Sequence, residues 1–158
     1  SATSVTFTSA TTISFTTGTA GLTNGQNVRI LVTNPDGNAA RSSSDLVVSD
    51  GPVFQTTSLP NGESNTAYSQ NIDVTGDSAV TIGTSVVSGA LPAGITIGST
   101  TNPSGSTYRA VISGTMPTIT STTVYSFTVR ATDAQGQTTD QALSITSTAG
   151  IGNSGGFC

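Results

Sequence analysis

Tyr125-Ser-Phe-Thr-Val-Arg-Ala-Thr-Asp-Ala-Gln-Gly136 decides the fold. Tyr125, Phe127, Val129 and Ala131 alternate with Ser126, Thr128, Arg130 and Thr132, the period of two that marks a half-buried β-strand. Asp133-Ala-Gln-Gly136 then fits a tight turn, with Asp able to bond backbone amides at the first position and Gly tolerated at the last. A second strand follows, with Leu143 and Ile145 expected on its inward face.

Upstream, Leu91-Pro92-Ala93-Gly94 forms a rigid corner before the short apolar strand Ile95-Thr-Ile97. Val111-Ile-Ser-Gly114 belongs to another strand, expected from Tyr108 to Ser113. In this order, Leu-Pro-Ala-Gly, Ile-Ser-Gly-Thr and Tyr-Ser-Phe-Thr-Val-x-Ala-Thr-Asp-x-x-Gly, the chain resembles the "putative Ig" domain of bacterial surface proteins and phage virion proteins, a relative of cadherin-like sandwiches. The resemblance runs from about Gly51 to Thr148. It implies an Ig-like β-sandwich and a spacer or adhesive role. One departure is Gly114-Thr-Met-Pro117, where Met116 intervenes in the usual Gly-Thr-Pro turn.

The region 1–49 alternates too. Val5 and Phe7, Ile13 and Phe15, and Val28, Ile30 and Val32 are expected inward, the last three on one strand from Asn27 to Thr33. Asn34-Pro35-Asp36-Gly37 is a type I turn signal, and Ser43 to Ser49 reads as a fourth strand. Thr3-Ser-Val-Thr-Phe7, Thr11-Thr-Ile13 and Val32-Thr-Asn-Pro-Asp-Gly37 resemble the later strands of an IPT/TIG Ig-like domain. The resemblance implies a partial module, because that family's opening strands would precede Ser1. Four short strands forming one sheet need a layer over their apolar face. A neighbouring subunit or the rest of the chain would supply it, or Ser1 marks a cleavage boundary.

The resulting division is 1–49, a partial module; 50–148, a sandwich; and 149–158, a Gly/Ser-rich tail with Phe157 as its sole anchor. Ser49-Asp-Gly-Pro52 reads as a short, stiff linker and Leu59-Pro-Asn-Gly62 as a turn. Ala67 to Val74 is a strand in which Tyr68, Asn71, Ile72 and Val74 compete for the inner face. Val80–Ile82 and Ser85–Val87 follow as strands, and Asn102-Pro-Ser-Gly105 as a loop tip. No segment has a helical period, so the fold class is all-β, as tandem Ig-like sandwich modules with the first incomplete.

Composition narrows function. Ser and Thr make up roughly a third of the chain, a warning of disorder, but hydrophobic residues reach 34% and alternate. Charged residues are 8%, with a net charge of −4 and no His. The four basic residues are Arg29, Arg41, Arg109 and Arg130, too scattered for a phosphate-neutralising patch, which argues against nucleic-acid binding. No apolar run approaches the length that spans a membrane. The start at Ser1-Ala-Thr3 lacks signal-peptide character, implying export by another route, assembly into a virion, or earlier processing. Cys158 cannot form an intramolecular disulfide, and its alternatives are a free thiol or an intersubunit bond.

Without His or Lys, a Ser–His or Ser–Lys nucleophile cannot be built, nor a Cys/His zinc site. The carboxylate pairs Asp73 with Asp77 and Asp133 with Asp140 remain, but no Trp and only three Tyr are available to line a sugar cleft. Asp36, Asp45, Asp50, Asp133 and Asp140 are the calcium candidates by charge, as cadherin-like relatives imply. No Asp-x-Asp motif joins them, and turn capping is the competing reading. Arg29, Arg109 and Arg130 lie in strands, free in solvent or paired with Asp on a neighbouring strand. The expectation is no catalytic, cofactor-binding or metal site, and hence no enzyme. The leading role expected is structural, in a phage tail, fibre or capsid decoration on the virion surface. Copies would associate through strand edges. The alternative is a bacterial cell-surface adhesin or extracellular filament module, binding glycan or protein through loops such as Gly98 to Gly105.

Overall fold

The computed structural model describes residues 2–9, 12–17, 22–23 and 25–150, with side chains described for Thr6, 22–23 and 25–150. Expectations for Phe157, Cys158 and the tail beyond Gly150 lie outside these residues, as do the side chains of Val5, Phe7, Ile13 and Phe15. The chain divides into two compact units, Ser1–Ser49 and Asp50–Cys158. No described residue is helical.

In the first unit β1 (Ala2–Ser9) and β2 (Thr12–Thr17) form an antiparallel ladder that sets Val5 opposite Phe15 and Phe7 opposite Ile13. The strand expected from Asn27 to Thr33 is split into β3 (Asn27–Val28) and β4 (Leu31–Thr33). β4 pairs with β5 (Ala39–Arg41), whereas β3 pairs with β6 (Leu46–Val47). The split has a local cause. The Ile30 amide donates to the Ser42 hydroxyl, 3.1 Å, so a side chain takes the place of a backbone rung where the partner changes. The strand expected over Ser43–Ser49 shrinks to Leu46–Val47, and the single four-stranded sheet is replaced by three two-stranded ladders among the described residues. Val32, expected inward, is 41% exposed, and Val28 and Ile30 are half-buried. The turn at Asn34–Gly37 forms as expected, with the Gly37 amide donating to the Asn34 carbonyl at 3.0 Å.

The second unit is a β-sandwich. Its strands are β7 (Val53–Phe54), β8 (Gly62–Glu63), β9 (Ala67–Thr75), β10 (Val80–Ile82), β11 (Ser88–Gly89), β12 (Ile95–Ile97), β13 (Thr101–Ser104), β14 (Thr107–Thr115), β15 (Thr123–Asp133) and β16 (Thr138–Thr148). One five-stranded sheet runs β10-β15-β16-β8 with β11 also on β15; the other runs β12-β14-β9-β7 with β13 also on β14. All pairings are antiparallel except β16 with β8. The alternation in β15 does what its period dictates. Phe127, Val129 and Ala131 are at most 2% exposed, Tyr125 is half-buried, and Leu143 and Ile145 on β16 join them in the core. Tyr68, Ile72 and Val74 take the inner face of β9 and Asn71 is exposed. Full burial of an aliphatic or Phe side chain contributes about 1.5–3 kcal/mol, so this shared interior dominates the unit's stability.

Several local readings are corrected. Pro52, at the end of the expected Ser49–Pro52 linker, is fully buried within the second unit. Leu59 to Asn61 runs without a turn into β8, and the turn falls at Glu63–Thr66, where Asn65 adopts φ 58°. Ser85–Val87 is not a strand; the pairing with β15 starts at Ser88, after the Val87 amide has donated to Thr128. Asn102-Pro-Ser is part of β13, and the sheet accepts Pro103 because the ladder with β14 is irregular between Thr101 and Ser104. Met116, the departure from the family turn, is 1% exposed and its amide donates to the Thr66 carbonyl, 2.9 Å. Gly114 shows why this region begins with glycine: φ is 147°, and a Cβ would lie 1.9 Å from the Gly94 carbonyl oxygen.

Candidate functional site

Three Arg–Asp pairs and several Asp-held turns engage most of the charged side chains. Arg109 on β14 faces Asp73 on β9 in direct register and grips it with two bonds, Nε–Oδ1 2.6 Å and Nη2–Oδ2 2.7 Å. Arg130 and Asp140 repeat this across β15 and β16 with two bonds of 2.7 Å. In the first unit Arg29 pairs with Asp45. These fork-to-carboxylate bonds hold the Asp73 and Asp140 carboxyls below the ordinary range. The Asn38 amide does the same to Asp36, reinforced by the Asn38 side chain. Asp133 caps its turn: Oδ1 accepts the amides of Gln135 and Gln137 at 3.0 and 2.7 Å. The Gly136 amide closes that turn onto the Asp133 carbonyl at 3.1 Å. Asp133 Oδ2 and Ser147 Oγ are buried without a hydrogen-bond partner. Asp77 Oδ2 accepts the Asp50 amide at 3.2 Å.

These contacts engage Asp36, Asp45, Asp73, Asp77, Asp133 and Asp140 among the carboxylates that the sequence offered as pairs or as calcium ligands. Asp73 is committed to Arg109 rather than to Asp77, and Asp140 to Arg130 rather than to Asp133. Among the described residues, no group of three or more His, Cys, Asp or Glu side chains converges. The segment Gly98 to Gly105, offered as a ligand loop, is tied into the sandwich. Thr100 Oγ1 accepts the Ile82 amide at 2.8 Å and donates to the Ile82 carbonyl at 3.4 Å, and Thr101 Oγ1 donates to the Arg109 carbonyl.

A trough of about 490 Å³ lies elsewhere, on the solvent face of the β15 sheet. Its floor is Ser126 and Thr128 on β15 with Ala142 and Ser144 on β16, cross-strand neighbours that all point away from the core. One wall is Ser88 and Gly89 of β11, where the Ser88 hydroxyl donates to Thr128 Oγ1 at 2.8 Å. Gly89 lets this wall sit close, since a Cβ there would lie 2.1 Å from the Ser126 carbonyl oxygen. The other wall is Thr57 to Leu59. Leu59 packs against the core, and the Tyr68 hydroxyl donates to the Pro60 carbonyl at 2.9 Å, so this segment is anchored on both counts. Burial pushes the Tyr68 phenol up and keeps it a donor.

The trough has no ionisable lining residue. Its hydroxyls can donate and accept hydrogen bonds, but no base stands beside them to activate a nucleophile. Phe127 borders it, yet at 2% exposure its ring belongs to the core and offers no stacking platform. Alternation along β15 places Ser126 and Thr128 on an outward face but does not reveal a trough there. The available signal was that the outward positions Ser126, Thr128, Ala142 and Ser144 are all small, leaving a depression where long side chains usually stand.

With this geometry in place, the two-sheet β-sandwich defines an Ig-like domain. The chain belongs to the family described as "Putative Ig domain", whose model matches residues 51–148. That match begins at residue 51, and the IPT/TIG resemblance of the first unit is not shown. A comparison with curated proteins gives no match. Among solved structures, the chain is similar to the Bacteroides ovatus mixed-linkage glucan utilization locus protein SGBP-B in complex with a mixed-linkage heptasaccharide. Identity is 18% and the TM-score 0.25; the match covers 92% of this chain and 36% of that one. A likeness at that level carries no argument about this chain.

Proposed function

We propose that the chain is a non-catalytic adhesion module of an extracellular or cell-surface protein, holding a glycan or protein ligand in the trough. The observation that carries this reading is a neutral, hydroxyl-lined depression built on the rigid outer face of a family-typical sandwich. Such a surface binds through hydrogen bonds and shape, and its ligand is uncharged. Glycan and protein arrays probed with the wild-type chain and with Ser126→Arg and Ser144→Arg test it. Binding that both substitutions abolish, with no turnover of the bound ligand, is the expected result. Ligand turnover, or binding indifferent to both substitutions, would overturn the reading.

A second reading has its own observation. Leu31, Val32, Leu46 and Val47 of the first unit are 41–66% exposed, the kind of apolar surface that subunit association covers. This supports a structural component of a virion surface working in many copies. Sedimentation at rising concentration discriminates: assembly abolished by Leu46→Ser with Val47→Ser favours it, and a monomer throughout the range removes its basis.

A further inference from the structure

We propose that the outer edge of β16 at Ala142 to Ser144 takes up an extended, uncharged peptide strand beside Thr57–Leu59, which deepens the adhesion reading and rests on the trough being its site. The orientation of the edge follows from two hydrogen bonds. The Thr148 carbonyl accepts the Ser64 amide, so the even-numbered residues of β16 direct their main-chain groups away from β15. On β15, the Thr128 carbonyl accepts from Val87 on the far side, which leaves the Thr128–Ala142 pair without mutual bonds, as that parity requires.

β8 covers only Ser147 and Thr148. Ahead of it, the amides of Ala142 and Ser144 and the carbonyl of Ser144 have no partner among the described residues, and none of Thr57 to Leu59 bonds to them. The Ala142 carbonyl holds only the Gln141 side-chain amide, 2.9 Å, which a strand amide can replace. Donors and acceptors therefore recur every second residue, roughly 6.6 Å apart, the repeat of an extended chain.

Two other edges are blunted. Thr100 occupies both main-chain groups of Ile82 on β10. β13 carries Pro103, which has no amide to donate. The β16 edge differs in having the trough beside it.

The surroundings select the occupant. Thr57–Leu59 walls the trough beyond this edge, so an occupant lies between that segment and β16. With no exposed aromatic ring in the lining, a sugar lacks a stacking partner, whereas a peptide needs only the edge. Arg130 and Asp140 neutralise each other one outward position further along both strands, so no net charge guides the strand. Small side chains on the added strand would stand beside Ala142 and Ser144, its cross-strand neighbours.

The test titrates the full chain, isotope-labelled for amide NMR, with the capped peptide Thr-Ser-Val-Ser-Thr-Ser-Val-Ser. The control is the same peptide with both valines replaced by proline, and cellohexaose is the oligosaccharide arm. The expected result is a saturable shift and slowed hydrogen exchange at the Ala142 and Ser144 amides with the first peptide alone. Ala142→Pro abolishes it; its missing amide faces the free edge, so no rung to β15 is lost. Ser144→Lys, a side-chain block on the same strand, does likewise should the proline variant fail to fold. A response to cellohexaose with none to the peptide overturns strand addition and leaves the adhesion reading intact. Silence of the trough residues toward both peptide and oligosaccharide overturns strand addition, and an array without trough-dependent binding then removes the adhesion reading as well.

Discussion

Val129 on β15 and Val47 on β6 both stand in short stretches rich in Val, yet Val129 is 0% exposed and Val47 66%. The two units differ in the same way throughout. From 50 to 150 the inward residues of two sheets interlock, with Ile72, Ile82, Ile112, Met116 and Ile145 almost fully enclosed. From 25 to 49 no described residue is buried, although the turn at Asn34–Gly37 and both short ladders are well formed. Alternation specifies a strand and its two faces. Burial requires a second layer, and ladders of two or three residues do not provide one.

Phe127→Ala breaks the comparison most forcefully. It empties a packed site between the sheets and should cost about 3–5 kcal/mol, read from urea unfolding of the second unit. Ser126→Ala, one residue away on the solvent face, should be nearly silent; equal losses would mean that the two faces are misassigned.

A smaller effect is expected from pH. Asp73 is held below its ordinary value of 3.8 by Arg109, so its folded form favours the ionised state. That stability is fully present above the unfolded pKa near 4 and is lost as pH falls through the lower folded pKa. Wild type should therefore lose melting temperature below pH 4 faster than Asp73→Asn, whose deficit at pH 7 is only a fraction of the Phe127 loss. Parallel curves would show that the Arg109 bond contributes nothing.

Val47→Thr should do least, within about 0.5 kcal/mol, as for surface substitutions in general. A loss comparable to that of Val129→Thr would show that the first unit has a core of its own and erase the contrast.

Much of the sandwich was legible because its signals are local. β15 declares itself through strict alternation, and its end through Asp133 and Gly136. What escaped depends on partners distant along the chain. Ser42 intercepting the Ile30 amide divides a strand that looks continuous, and β11 begins at Ser88 because that is where β15 is reached. Met116 looked like an interruption, but the turn that carries it folds inward and Thr66 receives its amide. The trough is assembled from Thr57, Ser88, Ser126 and Ser144, four unremarkable polar residues with no shared motif. Free solvation is the default expectation for outward arginines, and it is the ladder registers that set Arg109 and Arg130 opposite Asp73 and Asp140.

The hydroxyl of Thr100, reaching from the connection between β12 and β13 to seal the Ile82 rung of β10, has a consequence for crowding. A rim closed in this way cannot zip onto its twin when many copies are displayed side by side. Dense arrays of the module can thus stay discrete at that rim without a single extra charge.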